Sequence, residues 1–253
     1  MPSLVGSEMC IRDRTIPQPK QNSIKIDRKE YHLITDAKEI DQWIKEAEEA
    51  GEVAFDTETS SLDPHQADLI GISLSSKIGK ACYIPIGHNS KKCINKNEVL
   101  KKIKPLLEDP SIKKIGQNIK FDFIVLFKHG INISSMEDTM LMSYTLDAGK
   151  NRHNLDTLSE IHLNHKTIAF KDLVGSGKKE INFSEVDIEK AKDYAAEDAD
   201  ITFRLYKKFC KSLKDEKMVN IYEVFEKPMI KILAFMEIEG IKICLLYTSP
   251  SPR

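Results

Sequence analysis

Three groupings of acidic and polar side chains could carry chemistry. Asp56 and Glu58 stand two apart in Val53–Thr59, an alternating run that predicts a strand, so both carboxylates leave one face while Val53 and Phe55 leave the other. Like charges beside a core repel and lose hydration, which favours a cation between them. Spacing alone is weak, because Asp187 and Glu189 repeat it on a helix. In the second group Gly116 closes a short strand, Asn118 suits an N-cap, and Asp122 follows one turn later among Phe121, Phe123 and Ile124. A capped helix with a solvated acid is the simpler local explanation. The third group lies on a long helix, where Asp198 falls inside the apolar stripe Ala191, Ala195, Ile201, Leu205 and Phe209, with Tyr194 one turn before it. A carboxylate there needs Arg, Lys or a metal ion as partner. Asp193, Glu197 and Asp200 lie off the stripe and read as solvated charges. Carboxylates suit hard ions such as Mg²⁺ or Mn²⁺.

The elements that must position these groups follow from pattern. Asp36–Ala50 reads as a helix, with Ile40, Trp43, Ile44 and Ala47 on one face. Val53–Thr59, Leu69–Ser75 and Ala81–Ile86 read as strands between turns. Lys96–Leu107 is helical, and Lys113–Gly116 is a strand leading into a helix over Ile119–His129. From Glu137 to Lys208 the pattern is helical, interrupted at Lys166–Asn182. Ser184 is expected to start the long helix, with Asp187 completing a capping box. Three strands, then alternating helix and strand, then helices, predict an α/β fold with a mixed sheet flanked by helices.

Composition narrows the class. The chain has 253 residues, 41% hydrophobic and 30% charged, with formal net charge −1, so any nucleic-acid contact must be local or assisted by cations. No run approaches the ~20 apolar residues of a membrane helix, and the start lacks a signal-peptide core. The five cysteines are odd in number and form no CxxC pair, which points to free thiols in the cytoplasm. Gly175–Lys178 looks like part of a phosphate-binding loop, but Lys179 stands where Ser or Thr is required. His162 and His165 lack the further ligands of a zinc site.

The order of the three groups is more specific than any one of them. D-x-E on an early strand, N-x-x-x-D at a helix start and Y-x-x-x-D on a late helix resemble the DEDD exonucleases of the RNase H-like fold, in the branch with tyrosine. Phe55–Leu62, Gly116–Asp122, Asn154–Lys171 and Tyr194–Asp200 resemble the proofreading 3′–5′ exonuclease domain of bacterial DNA polymerase I, a family A polymerase. Glu226–Ile243 is similar to the helix that opens the polymerase domain of that family. The domains expected are a linker at 15–30, an exonuclease domain at 31–217 and the first helix of a missing polymerase domain at 218–243. Back-translated and reverse-complemented, Cys244–Arg253 reproduces Val5–Asp13 in a shifted frame. The segments 1–14 and 244–253 therefore resemble inverted copies of a sequencing-library adapter and are expected to be non-native.

The resemblance implies removal of nucleotides from single-stranded or frayed DNA 3′ ends by a monomer, with the parent chain's polymerase domain as partner and no membrane. It implies two divalent ions ~3.5–4 Å apart, one lowering the pKa of water and the other stabilising the leaving oxygen. By the same resemblance Asp56, Glu58 and Asp198 hold the first ion, Asp56 bridges to the second, and Asp122 supports that one through water. Tyr194 orients the attacking water; a phenol of pKa ~10 is a poor base at neutral pH. Leu62 and Phe170 pack on terminal bases, and Gln117, Asn118 and Arg152 contact the terminal nucleotides and phosphates. An exoribonuclease of the RNase D type shares the acids, but a helical nucleic-acid-binding domain would be expected after it. A catalytically inactive scaffold is the remaining alternative, opposed by the presence of all four acids and the tyrosine.

Overall fold

The computed structural model describes residues 26–90, 92–175, 177 and 181–242. The segments 1–14 and 244–253, and much of the linker, lie outside these residues.

A six-stranded mixed sheet forms the centre. Its strands are β1 Tyr31–Leu33, β2 Glu52–Thr59, β3 Leu69–Lys77, β4 Lys80–Pro85, β5 Lys113–Gly116 and β6 Met136–Asp138, in the order β1-β4-β3-β2-β5-β6. β2–β3 and β3–β4 are antiparallel; β1–β4, β2–β5 and β5–β6 are parallel. The central strand β2 carries the acidic pair. Val53 and Phe55 enter one core with Ile40 and Trp43 of α1 (Ala37–Ala50), Val99 and Ile103 of α2 (Lys96–Glu108) and Phe123 of α3 (Ile119–Phe127). Ala54 faces the opposite core, built with α4 (Thr139–Asp147), α5 (Leu155–Leu163) and α7 (Ile188–Asp215). Between α5 and α7 lies the short α6, Phe170–Val174. Period-two alternation thus feeds two apolar layers and leaves the far end of one face for Asp56 and Glu58.

Local chemistry sets the ends of these elements. Asp36 caps α1 by accepting from the Lys38 amide at 2.9 Å, and Gly51 ends it at φ 68, a left-handed conformation that glycine adopts without a Cβ penalty. α7 buries Ala191, Ala195, Ile201, Leu205 and Phe209, as its stripe predicts. Beyond it α8 (Val219–Ile221) runs through a π turn at Tyr222–Glu226 into α9 (Lys227–Glu239).

Several expectations are corrected. β1 and β6 were not foreseen, and the segment from Glu137 opens on β6 before it becomes helical. Ser184 lies in a 3₁₀ turn; α7 starts at Ile188 with Asp187 as its N-cap, and the capping box is formed one turn earlier by Asn182 and Glu185. Asn118 occupies the N-cap of α3 but makes no side-chain cap bond. Asp138 caps that helix from β6 instead. Ile230 is buried against the core with Ala234, whereas Leu233 and Phe235 remain partly exposed. Phe235 packs edge-on against Phe123 and Phe127, so α9 rests on α3.

Candidate active site

β2 and α7 bring three acids together. Asp56, Glu58 and Asp198 each offer a carboxylate oxygen within 4.8 Å of the others. β2 supplies the first two on the face turned toward α7, opposite Ser73 and Gly71 of β3. A bulge after Glu58 ends the regular register. Gly71 is required there because the Tyr83 hydroxyl fills the space its side chain would take. That hydroxyl is bonded to His88 at 2.7 Å.

Asp122 joins from α3. It is buried, and its Oδ1 accepts from the Thr57 amide at 3.0 Å and the Thr57 hydroxyl at 2.5 Å. Thr57, between the two acids of β2, thereby fixes the fourth carboxylate beside them; the sequence reading did not single it out. Asp122 stands close enough to Asp56 for their charges to oppose each other.

Electrostatics distinguish this cluster. Burial pushes the Asp56 carboxyl up to about 7. Burial raises Glu58, Asp122 and Asp198 as well, and each is raised further by Asp56. Among the described residues no Lys, Arg or His pairs with any of the four. Glu58 Oε1 is buried with no hydrogen-bond partner among the described residues. Converging, desolvated carboxylates without a protein cation fit a divalent ion with oxygen ligands. Tyr194 lies beside Asp198, and burial, then the Asp198 charge, pushes its phenol well above its ordinary value, so it stays a neutral hydroxyl that keeps its proton to donate.

The expected substrate residues occupy the surroundings unequally. Leu62 is 93% exposed, and Phe170 is 43% exposed while stacked parallel on Phe183 at 6.1 Å. Tyr194 lies 6.0 Å from Phe170 and 6.1 Å from Phe183, so one ring cluster joins the expected base contact to the tyrosine. Asn118 and Arg152 are exposed. Gln117 differs: its Nε2 donates to the His153 carbonyl at 2.7 Å and its Oε1 accepts from Thr139 at 2.5 Å.

Two acids of α7 depart from the expectation of solvated charges. Glu197 and Asp200 are fully buried rather than solvated, although Asp193 keeps partial exposure. Glu197 binds Arg28 (2.7 Å), His165 (2.9 Å) and the Ile168 amide (2.8 Å). Asp200 binds Tyr31 (2.8 Å), the Gly79 amide (2.7 Å) and Arg204 (3.0 Å). His165 is thus a hydrogen-bond partner of Glu197, and His162 lies edge-on to Phe209. Of the loop at Gly175–Lys178, Ser176 and Lys178 lie outside the described residues.

Comparison with known proteins agrees with this geometry. Residues 31–214 match the family described as 3′–5′ exonuclease. The chain is 40% identical over 242 residues to DNA polymerase I of Rhizobium leguminosarum, covering 87% of this chain and 24% of that one. It is 40% identical over 221 residues to DNA polymerase I of Borreliella burgdorferi, covering 87% and 24% respectively. The chain therefore spans about a quarter of the length of these relatives. Brucella melitensis NrnC with bound Mg²⁺ superposes with TM-score 0.58 at 26% identity, over 79% of this chain and 91% of that one. Among the described residues no helix is long and apolar enough to cross a membrane. The chain belongs to the 3′–5′ exonuclease family and is homologous to the exonuclease region of bacterial DNA polymerase I.

Proposed function

We propose that this chain removes nucleotides from the 3′ end of single-stranded or frayed DNA by metal-dependent hydrolysis, as the proofreading part of a DNA polymerase I acting in the cytoplasm. The convergence of Asp56, Glu58 and Asp198, with no cation beside them among the described residues, carries this reading. Asp56, Glu58 and Asp198 would hold one Mg²⁺ or Mn²⁺, and Asp56 with Asp122 would serve a second. When bound, such ions neutralise the phosphodiester and lower the pKa of water. The chain's own groups do the rest. Thr57 keeps Asp122 in place. Tyr194, held protonated, orients water through its hydroxyl. Leu62 and Phe170 offer apolar surface to bases without regard to sequence, and Asn118 and Arg152 are free to meet the terminal nucleotide and its phosphate.

End-labelled substrates test the reading. A 3′ label on single-stranded DNA is expected to appear at once as nucleoside 5′-monophosphate, while a 5′ label stays on progressively shorter chains. The purified chain is expected not to extend a primer. Release from RNA but not DNA would favour the RNase D-type reading. No release from either would favour a scaffold.

A further inference from the structure

The passage from β5 into α3 turns the chain at Asn118, which takes φ 59. Asparagine is among the few residues with a Cβ that take this conformation at small cost, but the turn leaves two amides in need of acceptors. Asp138 supplies the hold. Its carboxylate is buried and accepts from the Asn118 amide (3.1 Å) and Ile119 amide (3.0 Å) of α3, and from the Met140 amide (2.8 Å) and Leu141 amide (3.4 Å) of α4. One carboxylate thus caps two helices, where their dipoles favour negative charge.

The adjoining residues extend the hold. The Thr139 hydroxyl reaches the Gly116 carbonyl (3.1 Å) and Gln117 Oε1 (2.5 Å). Gln117 in turn ties down the carbonyl of His153, the residue after Arg152, and the His153 ring bonds Ser143 of α4 at 2.9 Å. From the other side comes Tyr222, buried at the π turn between α8 and α9. Its hydroxyl accepts from the Asp138 amide (3.0 Å) and donates to Glu137 Oε2 (3.0 Å), and Lys227 pairs with Glu137 at 2.6 Å.

We infer that Asp138 and Tyr222 are positioning residues for holding the 3′ end, coupling the helical segment after α7 to the loops that carry Asn118 and Arg152. The inference rests on the exonuclease reading of those two residues. Asp138 sets Asn118; Thr139 and Gln117 set the backbone beside Arg152. Tyr222 locks this hub to α8 and α9. Gln117 is then a positioning residue rather than a substrate contact, because both ends of its amide are used inside the protein. A shift in the seating of α8 and α9 would loosen the end-holding loops, while Thr57 keeps its own hold on Asp122 and β2 and α7 carry the other three acids.

Tyr222→Phe tests this with little change of shape. Amide hydrogen exchange at residues 116–120 is expected to quicken about fivefold, the equivalent of one hydrogen bond. The KM for single-stranded DNA is expected to rise about fivefold with kcat and its Mg²⁺ dependence unchanged. Asp138→Asn, which loses one of the two accepting oxygens, is expected to raise KM further. Unchanged exchange in Tyr222→Phe would overturn the coupling whether or not the chain cleaves DNA. Faster exchange with unchanged KM, or a loss in kcat alone, would overturn the positioning role. A wild type that cleaves no DNA would instead sink the exonuclease reading, and the exchange measurement would still decide the coupling.

Discussion

Glu197 and Asp198 are neighbours on α7 and both are buried, yet they meet opposite surroundings. Glu197 has a guanidinium, an imidazole and a backbone amide on its two oxygens. Asp198 has no cation beside it among the described residues and faces Asp56 and Glu58. Burial of an acid therefore does not mark an ion site. An acid buried among other acids, with nothing positive supplied by the protein, does. Asp200 belongs with Glu197, since Tyr31, Gly79 and Arg204 satisfy it and tie α7 to β1 and to the β3–β4 turn.

Replacing each member of the pair sharpens the contrast, and Asp198→Asn has the largest expected effect. Nuclease activity should fall by roughly a thousandfold or more, because a divalent site loses a charged ligand. The same variant should melt higher than wild type in EDTA at pH 8, because an uncompensated buried charge is gone. Activity retained within tenfold would break the comparison. Glu197→Gln should act in the opposite sense on stability, costing about 2 kcal/mol in EDTA, because Arg28 loses its charged partner and the His165 ring and the Ile168 amide lose a carboxylate. Chemical denaturation measures this, and a variant as stable as wild type would show the ion pair to be idle.

A smaller effect should appear with pH. The Asp56 carboxyl rises from 3.8 to about 7 in the folded chain, so the fold binds a proton that the unfolded chain has released. That contribution to stability is present below about pH 4 and is lost as pH rises through about 7. Glu58 and Asp198 are raised in the same direction. In EDTA the melting temperature should fall by roughly 5 °C between pH 5 and pH 8. Saturating Mg²⁺ should restore more at pH 8 than at pH 5. A flat metal-free profile would contradict the assignment of these acids as uncompensated.

In the sequence, strand alternation places Asp56 with Glu58, and helical spacing puts Tyr194 beside Asp198. Local pattern favours a solvated Asp122, which the fold buries, and only the order of the three groups joins it to the other acids and Tyr194. What escaped depends on contacts distant in sequence. The three-residue strands β1 and β6 are too short to display a period. Glu197 and Asp200 lie off the main stripe, but α7 is covered on further sides by the 165–168 segment and by Arg28 and Tyr31, so its off-stripe acids are buried too. Ile230 is buried because α9 lies on α3, a pairing no local pattern announces. Asn118 was rightly placed at a helix start. The group that caps that helix comes from β6, itself unseen.

The most direct test of the account is digestion of 3′-labelled single-stranded DNA by the wild type and by Asp56→Ala/Glu58→Ala, each with Mg²⁺ and with EDTA. Mononucleotides are expected to be released from the 3′ end by the wild type with Mg²⁺ alone, and not by the double variant. Release in EDTA, or release by the double variant at a rate near that of the wild type, would contradict it.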